Sequence, residues 1–273
     1  MKIPRKILTL LTIGKRLCEL LLTPNLSGEI RNWPRFLADF IFPIPGRYTL
    51  ILRSLGRITL RGQTIDKFPV SEVIVRDDYQ LRTLTTTPPK IIIDIGASIG
   101  EFCIYAAIIY PHSTIYAYEP DPNAFAILKY NVSDNTLEKR VFIFSQAVAG
   151  SKSRARLYMS QTSGHASLIT HTPLSRLVST IRLEDIFSKH KIRCCDLLKM
   201  DIEGAEYALL YSVPRRIYKK IRRIHLECHN FGDIKFTSQA LTKFLEERGF
   251  SVEKRSAYDR NLCMLYARNQ HLC

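Results

Sequence analysis

The run Ile91-Ile-Ile-Asp-Ile95, followed at once by Gly96-Ala-Ser-Ile-Gly100, constrains this chain more than any other segment. Four isoleucines around one aspartate suit a strand buried on both faces, the habit of strands in parallel sheets. Glycine lets the chain turn sharply out of such a strand and lets a ligand approach the backbone closely. Glu101 to Tyr110 then reads as a helix, and Pro111 stops it.

The alternation continues. Thr114 to Tyr118 reads as a strand, and Asp121 to about Asn131 as a helix with Pro122 in its first turn. Val141 to Val148 is a third strand. Ala155 to Met159 and Ser167 to Thr170 look like an inserted hairpin, and Arg182 to His190 like a short helix. Asp196 to Ile202 and Ile221 to Cys228 are core strands, with a helix over Ala205 to Tyr211 between them. A helix over Ser238 to Arg248 ends at Gly249, and Phe250 to Arg255 and Leu262 to Ala267 close the chain as strands. Before residue 90, Arg47 to Arg53, Ile58 to Arg61 and Val70 to Arg76 read as short strands. The expected fold class is α/β: a Rossmann-like, doubly wound, mostly parallel sheet with a small N-terminal helical and β extension. The division expected is a helical extension over residues 1–45, a β-rich lead-in over 46–89 and a catalytic domain over 90–273.

Ligands of such sheets bind beyond the carboxyl ends of the strands, so residues there matter most. A nicotinamide fingerprint reads G-x-G-x-x-G, whereas here Asp94 precedes Gly96 by two residues and Gly100 follows four later. A carboxylate at Asp94 repels a pyrophosphate and suits a ligand carrying an ammonium group, such as the methionine end of S-adenosylmethionine. Glu119, ending the next strand, can accept hydrogen bonds from both hydroxyls of a ribose. Ser98, Gln146 and Ala147 complete the set assigned to the cofactor with Asp94, Gly96, Gly100 and Glu119.

Asp201, Glu203, Glu227 and His229 end two later strands and should converge on one cleft. Carboxylates beside a histidine serve as general base, as acceptors for substrate hydroxyls, or as metal ligands. The catalytic assignment is Asp201, His229 and Glu227, with His229 or Asp201 as the base. No metal is assigned, because a metal needs three well-placed ligands and a sequence does not display their placement. A polar network that merely braces the loops is the alternative.

Asp94-Ile-Gly-Ala-Ser-Ile-Gly100, Tyr118-Glu-Pro120, Leu198-Lys-Met-Asp-Ile-Glu-Gly-Ala-Glu206 and Glu227-Cys-His229 together resemble the FkbM-type methyltransferase family. Arg182-Leu-Glu-Asp-Ile186 resembles the family's segment before the fourth strand. The resemblance covers roughly residues 70 to 267 and departs at Ser98, where the family usually has asparagine. It implies a class I enzyme that uses S-adenosyl-L-methionine to methylate a hydroxyl oxygen of a sugar, glycan or natural product. His165, in Ser163-Gly-His-Ala-Ser-Leu168, is a candidate substrate contact. A nicotinamide-dependent oxidoreductase and a non-catalytic binding module are the rivals.

The net charge of +15 favours acidic partners in general. Pro214 to Arg223 is the densest basic run, but it precedes a core strand and so belongs at the edge away from the cleft. It lacks the interleaved aromatics of a nucleic-acid groove, and no specific nucleic-acid partner is expected. Seven cysteines with no C-x-x-C pair fit a reducing compartment, hence a cytoplasmic location. Met1 to Pro24 is basic and rich in Leu and Ile at helical spacing, with Lys15 and Arg16 interrupting it. It is too short to span a bilayer, and residues 1–23 either pack on the domain or make weak peripheral membrane contact.

Overall fold

A computed structural model describes residues 26–42, 44–159, 166–169, 172–230, 236–256 and 262–272. The helix expected over Met1 to Pro24, with its membrane contact, and His165 lie outside the described residues. The chain opens with α1 (Leu26–Glu29) and α2 (Trp33–Ile41), then the antiparallel pair β1 (Arg47–Ile51) and β2 (Arg57–Arg61). Next come α3 (Lys67–Val70), a π-turn over Ser71–Val75 and a 3-10 segment over Leu81–Thr86. The alternating part runs β3 (Ile91–Ile95), α4 (Glu101–Ile109), β4 (Thr114–Tyr118), α5 (Pro122–Asp134) and β5 (Val141–Phe144). It is interrupted by β6 (Ala147–Val148), β7 (Arg154–Met159), β8 (Ala166–Ser167) and β9 (Leu174–Ile181). It resumes with α6 (Leu183–Lys189), β10 (Leu197–Met200), α7 (Glu206–Ser212), α8 (Arg215–Tyr218) and β11 (Arg223–His229). The last elements are α9 (Ser238–Glu246), β12 (Phe250–Ser256) and β13 (Leu262–Asn269).

The main sheet has seven strands in the order β12-β13-β11-β10-β3-β4-β5. β11, β10, β3, β4 and β5 are parallel, whereas β13 runs antiparallel to β11, and β12 to β13. The fold is therefore Rossmann-like α/β, as the alternation predicts. Strand alternation sends successive residues to opposite faces. Ile92 and Leu197 join the core formed with α4, α5 and the elements before residue 85. Ile93, Ile95, Leu198 and Met200 join the core formed with α6, α7, α8 and α9. The chain leaves β3 toward β4 and β5, then returns to place β10 on the other side of β3. That reversal opens a crevice beyond the carboxyl ends of β3 and β10.

Two local expectations give way. Val70 to Arg76 is not a strand: it forms the end of α3 and the π-turn, with Val70, Val73, Ile74 and Val75 fully packed into the first core. Its β-branched residues favour a pleated surface, but burial against a helix and sheet overrides that preference. Val141 to Val148 is not one strand either. It breaks after Phe144, and β6 pairs with β9 in a small four-stranded sheet ordered β6-β9-β7-β8. The inserted hairpin thus has a third strand, β9, whose half-exposed, irregular pattern hides it from a search for buried runs.

Candidate active site

A cavity of about 530 Å³ lies at the reversal point. Its wall is unusual for a chain of net charge +15. Seven carboxylate residues line it, namely Glu72, Glu101, Glu119, Asp121, Asp201, Glu203 and Glu227, while His229 is the one basic residue in the wall among the described residues.

One end is the glycine turn. Gly96 has φ +78°, and a Cβ there would overlap the carbonyl oxygen of Asp201, so any side chain would force β3 and β10 apart. Ser98 also takes a left-handed conformation, with φ +48°. Its backbone N–H donates to Glu119 Oε2 at 2.8 Å, and the N–H of Asp121 donates to Glu119 Oε1 at 2.7 Å. Glu119 is thereby fixed at the end of β4, and each oxygen keeps a lone pair for a ligand. Burial pushes its pKa up to about 8, against the pull of the two amide hydrogen bonds. Asp121 caps α5 by accepting from the N–H of Asn123 at 3.1 Å.

Asp94 is held behind this turn. It is fully buried and outside the cavity wall, 3.2 Å from the ammonium of Lys199, its register partner on β10. Lys199 in turn donates to the carbonyl of Gly96 at 2.6 Å and lies over the rings of Tyr79 and Phe102. The pair therefore braces the turn from below. Glu101, the first residue of α4, does reach the cavity. Its Oε2 has no hydrogen-bond partner among the described residues, and burial pushes its pKa up to about 8.

The other end is built from β10, β11 and the π-turn. The N–H of Asp201 donates to Ile95 at 3.0 Å, continuing the β10–β3 pairing, and its Oδ2 lies 3.4 Å from the Tyr79 hydroxyl. Glu203 and Gly204 follow with positive φ, and Glu206 Oε1 accepts the N–H groups of Ile202 and Gly204 at 3.1 Å each. Glu206, with no exposed surface, also pairs with His229 Nδ1 at 3.2 Å, while Glu203 lies 3.4 Å from His229 Nε2. Burial alone would lower the His229 pKa, but the bonds to Glu203 and Glu206 push it up to about 12. Asp201 and Glu227 are raised too, which for carboxylates favours the neutral form: burial raises both, and repulsion from Asp201 raises Glu227 further. One donor atom from each of Asp201, Glu227 and His229 lies within 4.8 Å of the others.

Residues 94–252, more than half of the sequence, match the methyltransferase FkbM domain. The chain belongs to that family. It is similar to the 31-O-demethyl-FK506 methyltransferase FkbM of Streptomyces tacrolimicus, at 24% identity over 216 residues, covering 68% of this chain and 82% of the relative. It is also similar to the 2-O-methyltransferase NoeI of Sinorhizobium fredii, at 27% identity over 145 residues, 46% of this chain and 58% of that one. Among solved structures it resembles precorrin-6y C5,15-methyltransferase from Geobacter metallireducens, with TM-score 0.43, 15% identity and coverage of 71% and 87%.

In this FkbM-family chain, Gly96, Ser98, Glu119, Ala147, Asp201, Glu227 and His229 share one cavity wall. Asp94, Gly100 and Gln146 do not reach it. Gly100 instead makes room for Leu128 of α5, and a Cβ there would come within 2.7 Å of its Cδ1. Glu72, Glu101, Tyr79, Lys199 and Glu206 were not singled out by sequence. Lys199 and Glu206 stand inside the run that carries the family resemblance, so a signal existed. Glu72 sits in the misread strand, and nothing local marks Tyr79.

Proposed function

We propose that this chain transfers the methyl group of S-adenosylmethionine to a hydroxyl oxygen of a sugar, glycan or other small natural-product acceptor. The observation that carries the reading is a carboxylate-lined cavity, without lysine or arginine in its described wall, at the reversal point of the sheet. Such a wall repels the pyrophosphate of a nicotinamide dinucleotide and attracts a sulfonium and an ammonium. Bound there, the cofactor supplies a methyl group on an already activated sulfur. The family and the O-methyltransferase names of two relatives support oxygen as the acceptor atom.

The backbone at Gly96 and Ser98, with Ala147 opposite, would cradle the cofactor, and Glu119 would accept its ribose hydroxyls through the lone pairs its amide donors leave free. Lys199 and Asp94 hold the turn in shape from beneath. At the acidic end His229 is an imidazolium at neutral pH and has no lone pair for a proton. The proton of the acceptor hydroxyl therefore goes to the Asp201–Glu227 pair, which burial and mutual repulsion make more basic than ordinary carboxylates. His229, Glu203 and Glu206 fix that pair's surroundings. Among the described residues no helix is long and apolar enough to cross a membrane. A cytoplasmic location, with weak peripheral contact through residues 1–23, completes the reading.

Titration calorimetry with S-adenosylmethionine, S-adenosylhomocysteine and NADH tests the cofactor. Binding of the first two and none of the third is expected. Tight NADH binding with no response to S-adenosylhomocysteine would overturn the proposal.

A further inference from the structure

We infer that the tip of the β1–β2 hairpin is a docking surface for an anionic lipid bilayer. The tip is the turn Arg53-Ser-Leu55, closed by the N–H of Leu52 donating to the carbonyl of Gly56 at 2.8 Å. Leu55 is 82% exposed, more than any other large apolar side chain among the described residues. It also has φ +72°, the left-handed region that suits glycine or asparagine. A leucine so placed is unfavourable for folding on two counts: its backbone is strained and its side chain meets water. Ile51, at the same end of the ladder, ends β1 with 41% of its surface exposed.

Charge identifies the partner. Arg31, Arg53 and Arg57 are exposed at this same end. The N–H of Arg31 donates to the carbonyl of Ile51 at 2.8 Å, the N–H of Arg53 to that of Glu29 at 2.8 Å, and Arg57 is the register partner of Ile51. Arg57 pairs with Asp134 at 3.0 Å, and Glu29 is taken by Arg82. Arg31 and Arg53 have no carboxylate partner among the described residues. Apolar side chains flanked by guanidinium groups match the interface of an anionic bilayer. The alkyl carbons sink toward the acyl chains, and the guanidinium groups meet lipid phosphates.

The 25 residues before Leu26 join the molecule beside this tip, since Arg53 Nε donates to the carbonyl of Ser27 at 2.6 Å. They carry Lys2, Arg5, Lys6, Lys15 and Arg16 against a single acid, Glu19. Like charge disfavours that segment as the cover of the tip, and both stretches suit one common anionic partner. A second copy of this chain, with net charge +15, is disfavoured for the same reason. The inference goes beyond the contact proposed for residues 1–23, because the hairpin supplies a structured site of its own.

The test is flotation of the full chain with vesicles of phosphatidylcholine alone and of phosphatidylcholine with an equal part of phosphatidylserine, at low and high salt. Wild type should bind the anionic vesicles only, and salt should release it. Combining Ile51→Thr with Leu55→Gly keeps a β-branched residue in the strand and gives the left-handed turn a residue that fits it. Urea unfolding should therefore show a stability near or above wild type. This double variant should bind anionic vesicles at least about tenfold more weakly, and Arg31→Gln about fivefold more weakly. A third variant, with Lys2, Arg5, Lys6, Lys15 and Arg16 changed to glutamine, reports on residues 1–23 separately. The inference is overturned if wild type ignores anionic vesicles, or if the double variant binds them as well as wild type does. In the second case a changed oligomeric state of the double variant would give the tip to a second copy. Loss of binding in the double variant alone would uphold the hairpin and count against residues 1–23, and loss in the third variant alone would do the opposite.

Discussion

The two ends of the cavity are assembled in different ways. At the glycine-turn end, Gly96, Ser98, Glu119 and Asp121 come from one strand–helix–strand unit and are held by backbone amides and strand pairing. At the acidic end, Glu72, Asp201, Glu203, Glu227 and His229 come from three separate stretches and are held by side-chain ion pairs and contacts such as that between Tyr79 and Asp201, 122 residues apart. The first end is rigid because backbone geometry makes it so. The second is a balance of buried charges, each of which depends on the others. On the proposed reading, the second end would carry the chemistry that needs a tuned charge, and the first would recognise the cofactor.

Asp201→Asn should produce the largest effect and separates the ends most sharply. Methyl transfer in single turnover at saturating cofactor should fall by about 10²–10⁴-fold, the usual contribution of a positioned base, while cofactor affinity stays near wild type. A near wild-type rate in the folded variant would make the acidic end a brace and erase the contrast.

Glu119→Ala probes the other end. Losing a charged acceptor for two ribose hydroxyls should weaken S-adenosylhomocysteine by about 1.5–3 kcal/mol in calorimetry, with little change in single-turnover rate at saturation. Because donors favour the ionised form of a group whose free pKa is about 8, affinity should also rise from pH 6 to pH 8 in the wild type and lose that slope in the variant. A flat profile would leave Glu119 with only its two backbone amides to serve.

The smallest effect concerns Glu101. Its folded pKa of about 8 exceeds the ordinary carboxylate value of 4.5, so the folded chain holds a proton that the unfolded chain has lost between those limits. Stability from this group is full below pH 4.5 and declines as pH rises to about 8. Glu101→Gln removes the penalty and should raise stability by roughly 1 kcal/mol or more at pH 8 in urea unfolding, with no gain at pH 4. A gain that does not vary with pH would mean that shape, not charge, limits this position.

The contrast between the ends also explains what could be read in advance. Gly96, Ser98 and Glu119 were legible because a buried isoleucine strand, a glycine turn and a strand-end glutamate are neighbours in sequence. Asp94 was legible as important but not in its role, since only the register of β3 beside β10 sets it against Lys199. Asp201, Glu227 and His229 could be brought to one cleft by the rule that strand ends face ligands. The charge on His229 could not be foreseen, because it depends on Glu203 and Glu206 lying on either side of the ring. Val70 to Arg76 misled because its β-branched content speaks for a strand, and only packing against α4 and the sheet made it a π-turn that presents Glu72 to the cavity.

Sequence by itself determined the α/β alternation, the glycine turn and the family to which the chain belongs. Each of these rests on interactions between residues a few positions apart, whose free energies a local pattern records. Tertiary structure alone decided which carboxylates are paired, which are left in surplus, and which ionisable groups carry charge. Those outcomes depend on burial and on distances between residues far apart in the chain, and electrostatic energy in a buried site changes steeply with both.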